Sequence, residues 1–198
     1  MNIGVVDYGT GNLHSLVKAL ENTSAQVWVE ADLSEALNAD AVVLPGVGAF
    51  GAAAAQLAPG VSALHDAIAQ GKPCLGICLG MQLLFEGSEE GPGVGLSALN
   101  GSIHRLTGRR VPHMGWNDVE MVDDPLFAGM SQFVAYYANS YIARPADESE
   151  VIAWSRYGSQ RFPAAVRRDN IWGVQFHPEK SGRAGLQLLN NFVAQVGT

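Results

Sequence analysis

Four apolar runs in the first part of the chain, residues 3–8, 27–30, 41–44 and 73–78, are separated by stretches of helical character. No other feature limits the fold as strongly. Strands alternating with helices through short turns predict a parallel sheet covered on both faces. Leu13, Leu16, Val17 and Leu20 lie at helical spacing, residues 33–38 read as a short helix, and a long Ala-rich helix is expected to end near Gln70. The pattern then changes. Residues 87–101 are glycine-rich and read as irregular. The strand-like runs 102–106, 133–141 and 151–156 have few helices between them, which predicts an antiparallel extension of an α/β fold. Residues 183–196 close the chain as a helix with Leu186, Leu189, Val193 and Val196 on one face.

With 198 residues and 47% hydrophobic content, the chain suits one domain over residues 1–198. A formal net charge of -7 argues against a nucleic-acid partner, which calls for a basic face. The basic pairs Arg109-Arg110 and Arg167-Arg168 read as solvated loops. Residues 1–7 lack a basic segment followed by a long apolar core, and no later run approaches a membrane span. The expectation is a cytoplasmic protein with no membrane contact. Cys74 and Cys78 are too few for a disulfide framework and lack C-x-x-C spacing, and the histidines are scattered, so no metal is expected.

The last of the four apolar runs ends in Gly76-Ile77-Cys78-Leu79-Gly80, followed by the helix-like Met81-Gln82-Leu83-Leu84-Phe85. A strand, a sharp turn and a helix with a thiol at the corner have the form of a nucleophile elbow. The strained turn presents the side chain above the sheet, and glycines leave room beside it. A free thiol of pKa about 8.5 is only a few per cent ionised at neutral pH, so nucleophilic use also needs a base. Cys74, inside the strand, reads as a small buried hydrophobe.

Val174-Gln175-Phe176-His177-Pro178-Glu179 offers that base. Residues two apart on an extended segment share a face, so Glu179 can orient the imidazole of His177. The plain alternative is a loop histidine with Pro178 stopping a strand. Charge on an attacked carbonyl needs fixed donors, and losing one costs about 10²- to 10³-fold. The backbone N–H of Leu79 is the natural first donor. A second is expected from Pro45-Gly46-Val47-Gly48, through Val47 or Gly48. Gly46-x-Gly48-x-x-Gly51 also matches a dinucleotide fingerprint, but Asp66, the acidic residue at the right distance, falls in a helical stretch rather than at a strand end. No cofactor is expected. These residues alone leave peptidase, amidase and amidotransferase chemistry open.

GICLGMQ (residues 76–82) with QFHPEKS (residues 175–181) resembles the triad-type, class I glutamine amidotransferases. DYGTGNL (7–13), PGVG (45–48), HMGWN (113–117) and GLQLLNNF (185–192) are similar, more narrowly, to the glutaminase subunits of imidazole glycerol phosphate synthase. The resemblance implies that Cys78 attacks the side-chain amide of L-glutamine, with His177 as base then acid and Glu179 orienting it. Gln82, Ser140 and Tyr141 match substrate-binding positions. The ammonia released would pass to a cyclase subunit, a (β/α)₈ barrel forming a heterodimer with this chain, in histidine biosynthesis. Asn12, Trp116, Asn117 and Lys180 match positions facing that partner or the ammonia path, although Trp116 also suits a core. The family's usual His-Ser-Tyr segment stands here as Asn139-Ser140-Tyr141, and an asparagine cannot become cationic.

Overall fold

A computed structural model describes residues 1–9, 13–108 and 110–196. The first half realises the strand–helix alternation as β1 (Asn2–Val6), α1 (His14–Glu21), β2 (Gln26–Glu30), α2 (Leu33–Ala36), β3 (Ala41–Leu44), α3 (Phe50–Leu57), α4 (Val61–Ala69), β4 (Cys74–Ile77) and α5 (Leu79–Leu83). The second half is mainly strands: β5 (Gly87–Ser88), β6 (Gly101–Arg105), β7 (His113–Met121), β8 (Phe133–Asn139), β9 (Tyr141–Pro145), β10 (Val151–Tyr157), β11 (Gln160–Arg168) and β12 (Ile171–Val174). Helix α6 (Gly182–Gln195) follows.

Nine strands pair in the order β2-β1-β3-β4-β12-β11-β10-β7-β8, and β5-β6-β9 form a smaller sheet. Neighbours from β2 to β12 run parallel, and each pairing beyond β12 is antiparallel. The fold is therefore α/β with an antiparallel extension. Strands β3 and β4 are buried at every residue, as expected of parallel strands covered on both faces.

Side-chain alternation divides these strands between two cores. Val5, Val43 and Leu75 pack with Leu16 and Leu20 of α1 and with Leu188 and Phe192 of α6. Val6, Val42, Leu44 and Cys74 pack with Phe50, Leu57, Leu64 and Met81. Each fully buried side chain of this size contributes about 1.5–3 kcal/mol, so the two layers hold the carboxyl ends of β3, β4 and β12 rigidly side by side. No helix among the described residues is long and apolar enough to cross a membrane.

Several boundaries differ from the sequence expectation. The single Ala-rich helix is two, because Pro59 cannot supply an N–H to a continuing helix and instead sits in a 3₁₀ turn over Ala58–Gly60. Residues 133–141 form not one strand but β8 and the start of β9, which belong to different sheets and meet at Ser140. Residues 87–101 are largely irregular, apart from β5 and the start of β6. Strand β7 is read with difficulty from HMGWNDVEM, whose Gly, Asn and Asp are poor strand formers. In β11, Pro163 sits opposite Trp154 beside a register irregularity of β10, where a missing ladder donor is tolerated. Arg167 and Arg168 lie not in a loop but at the end of β11, partly exposed and paired: Arg167 with Asp124 at 3.0 Å and over the Trp172 ring, and Arg168 with Glu150 at 2.6 Å.

Candidate active site

Strand β4 ends at Ile77, and Cys78 takes φ 48° and ψ −102°, a conformation that non-glycine residues rarely adopt. The surroundings enforce it. The Cys78 N–H donates to the Val174 carbonyl at the end of β12 (2.7 Å), and its carbonyl accepts from Gln82 N–H (3.1 Å). A Cβ on Gly76 would stand 2.6 Å from backbone atoms of Gly80 and Met81, and one on Gly80 would run into the carbonyl of Leu44. The elbow is thus wedged against β3, and both flanking glycines are required. Helix α5 has five residues, so its dipole gives the thiol only modest help.

His177 follows β12 and is buried, with 4% of its surface exposed. Its Nδ1 lies 2.8 Å from Glu179 Oε1. An ionised carboxylate only accepts, so Nδ1 carries a proton and Nε2 is left to face the sulfur. The pairing arises differently from the extended-strand expectation. Pro178–Lys180 form a 3₁₀ turn that brings Glu179 back beneath the imidazole. The turn is tied to β8, since His177 N–H donates to the Tyr136 carbonyl (2.9 Å) and Ser181 Oγ accepts from Tyr136 N–H (3.0 Å). Burial alone would lower the pKa of His177. Hydrogen bonds and opposite charge from Cys78 and Glu179 outweigh it and raise the value to about 10, which keeps the ring cationic beside the sulfur. Cys74, by contrast, is fully buried, and desolvation pushes its thiol up to about 12.

A cavity of about 180 Å³ opens beside the sulfur, lined by Gly46, Gly48, Cys78, Leu79, Gln82, Glu90, Ala138, Asn139, Ser140 and Tyr141. Of the sequence-predicted residues, Cys78, Gly48, Leu79, Gln82, Ser140 and Tyr141 are brought together there, whereas Val47 is not among its lining. Gly46 closes the far side. A Cβ there would lie 2.9 Å from both Cys78 Cβ and His177 Cε1. Larger hollows lie away from the thiol. One of about 860 Å³ is lined by Met1, Asp40 and Pro73, at the amino ends of β1, β3 and β4, opposite the end where ligands enter open α/β sheets.

Two residues overlooked in the sequence complete the site. Glu90 lines the cavity, and its Oε2 accepts the N–H of Phe50 at the start of α3 (2.9 Å). Gln175, fully buried, contacts the sulfur of Cys78. Neither had a local signal, since Glu90 sits in a glycine-rich loop and Gln175 reads as a strand end. Asn139 is also buried, and its Nδ2 donates to the Tyr141 carbonyl (3.0 Å), which fixes the cavity wall without any need for charge.

Trp116 is 57% exposed on β7, which rules out a core role. Its ring meets Tyr136 edge-on, and Lys180 Nζ lies 5.9 Å from the same Tyr136 ring. Trp116, Tyr136 and Lys180 therefore form one outer patch directly behind the His177 turn. Asn117 is not part of it: its Nδ2 donates to the Arg156 carbonyl (3.0 Å) and its Oδ1 accepts from Asp118 N–H. Asn12 lies outside the described residues.

A thiol on a strained strand–helix corner, paired with a buried imidazole and carboxylate beside a small polar cavity, defines an acyl-transfer enzyme of the cysteine-nucleophile type. Residues 4–196 match the sequence model of glutamine amidotransferase class-I, and the chain belongs to that family. Within it, the chain is 48% identical to the imidazole glycerol phosphate synthase subunit HisH of Synechococcus elongatus, over 98% of this chain and 93% of the relative. The HisH subunit of Halobacterium salinarum is also 48% identical, over 97% and 92% of the two chains. These similarities place the chain in the HisH branch. Among solved structures, a glutamine amidotransferase superposes with TM-score 0.74 at 22% identity over 99% of both chains. PurLQS from Thermotoga maritima gives 0.73 at 19% identity over 98% and 97%. At such identity the likeness is one of fold.

Proposed function

We propose that this chain is a single-domain, cytoplasmic glutaminase subunit of imidazole glycerol phosphate synthase that supplies ammonia for histidine biosynthesis. The observation that carries the reading is the buried Cys78–His177–Glu179 line at a strained corner, opening on a cavity with a free carboxylate side at Glu90. In this reading the Cys78 sulfur attacks the side-chain amide carbon of L-glutamine. Negative charge moves to the carbonyl oxygen, which accepts from Leu79 N–H and from the loop holding Val47 and Gly48. His177, protonated on Nε2, gives its proton to the departing nitrogen, and the C–N bond breaks to release ammonia. Water then loses a proton to His177 and attacks the glutamyl thioester, and glutamate leaves as the sulfur is restored. Glu90 offers its carboxylate to the substrate α-ammonium, while Gln82 and the Ser140–Tyr141 segment position the rest.

The partner in this reading is the cyclase subunit, a (β/α)₈ barrel bound as a heterodimer. The Trp116–Tyr136–Lys180 patch, an exposed aromatic cluster with a cation, has the composition of an interface centre. Glutamine hydrolysis measured with and without the cyclase and its nucleotide substrate tests the proposal. The complex should release ammonia from glutamine, and Cys78→Ala should abolish release while still binding the cyclase. Ammonia release by the Cys78→Ala complex would refute the assignment.

A further inference from the structure

We propose that Gln175 is a catalytic residue for the Cys78 thiolate, a hydrogen-bond donor to the sulfur whose amide polarity is fixed by the substrate-cavity wall. This rests on Cys78 being the nucleophile. Gln175 is completely buried one residue beyond β12, with Nε2 3.6 Å from Cys78 Sγ. The two ends of a carboxamide look alike in shape, so its chemical direction must come from its partners.

Those partners leave one solution. The Tyr141 carbonyl can only accept, and it receives Asn139 Nδ2 at 3.0 Å and Gln82 Nε2 at 3.1 Å. Gln82 must therefore present its NH₂ group. The same nitrogen donates to Gln175 Oε1 at 3.2 Å, so Gln175 presents its oxygen to Gln82 and its NH₂ to the sulfur. The NH₂ group of Gln82 thus donates both ways, back to the Tyr141 carbonyl and forward to Gln175, whose own NH₂ ends on the nucleophile.

A donor in this place does two things. It favours the anion over the thiol, since hydrogen bonds to a charged acceptor are about twice as strong as neutral ones. It also stabilises the sulfur as it leaves the thioester in the second half-reaction, when negative charge returns to it. His177 cannot serve the anion alone throughout, because it surrenders its proton to ammonia and must take another from water. Gln175 keeps its protons in every step.

The test measures thiolate directly, without glutamine. The rate at which iodoacetamide alkylates Cys78, followed across pH by peptide mass spectrometry to separate it from Cys74, is compared for the wild-type chain and Gln175→Met. The midpoint of the profile should move up by about one pH unit in the variant, a roughly tenfold loss of thiolate below both midpoints. Glutamine hydrolysis by the complex should fall by a similar factor at neutral pH and recover as pH rises. A folded Gln175→Met with the wild-type midpoint would overturn the proposal. Should that variant fail to fold, Gln175→Glu has the same size and an ionised end that only accepts, and its midpoint must rise further. A midpoint at or below the wild-type value would be equally decisive against it. Glutamine hydrolysis persisting in Cys78→Ala would instead remove the glutaminase reading and leave the alkylation result in force.

Discussion

His177 keeps its proton because its partners outweigh its burial. Burial disfavours the cation, while Cys78 and Glu179 favour it and raise the pKa to about 10. By linkage, a value raised above the unfolded 6.5 gives stability that is whole below pH 6.5 and is lost as pH rises through about 10. An NMR titration of the imidazole should therefore show its transition well above the ordinary histidine range, and Glu179→Gln should lower it. The same substitution allows the wrong tautomer, so kcat should fall about 10²- to 10⁴-fold with little change in KM. Cys78, His177 and Glu179 were legible from sequence because elbow and turn are local patterns. Glu90 and Gln175 were not, since each acquires its role from a neighbour far along the chain, 40 residues away at Phe50 and 97 at Cys78.

At the level of elements, the corner between β4 and α5 depends on what lies beside it. Gly80→Ala would force a methyl into the Leu44 carbonyl, so β3 or the elbow must shift. Overpacking of this kind costs about 1–3 kcal/mol, to be read from denaturant unfolding, and should reduce glutamine hydrolysis far more than that loss explains. Strand β7 makes the opposite case. Trp116 projects from its outer side, so Trp116→Ala should leave the melting temperature nearly unchanged while weakening cyclase binding about 30-fold, near 2 kcal/mol, in a titration of the two subunits. Strands β1 to β4 of the parallel half were legible because each has an apolar run at its centre and the helices between them are periodic. Strands β7 and β11 were not, because polar residues and Pro163 hide the period of two, and only their neighbours β8, β10 and β12 make them strands. The break at Pro59 falls inside one Ala-rich stretch, whose alanines favour helix on both sides of it.

For the whole molecule, the sheet order puts β12, from the end of the chain, beside β4, from its middle. The nucleophile and its base are therefore brought together by a pairing between strands far apart in the chain. The sequence order of the motifs conveyed this indirectly, but the pairing itself depends on long-range register: Gly173 against Gly76, and Val174 against Ile77. Phe192→Ala, in the α6 layer behind this pairing, should cost about 3–5 kcal/mol of global stability in chemical denaturation. The backbone of Cys78 carries a different consequence. A side chain held at φ 48° stores about 1–3 kcal/mol, which only glycine avoids, against the roughly 0.5–1 kcal/mol that glycine loses in chain entropy. Cys78→Gly should therefore melt above Cys78→Ala, both being inert toward glutamine. The gap between those two melting curves measures what this protein gives up in robustness so that one buried sulfur can face the cavity.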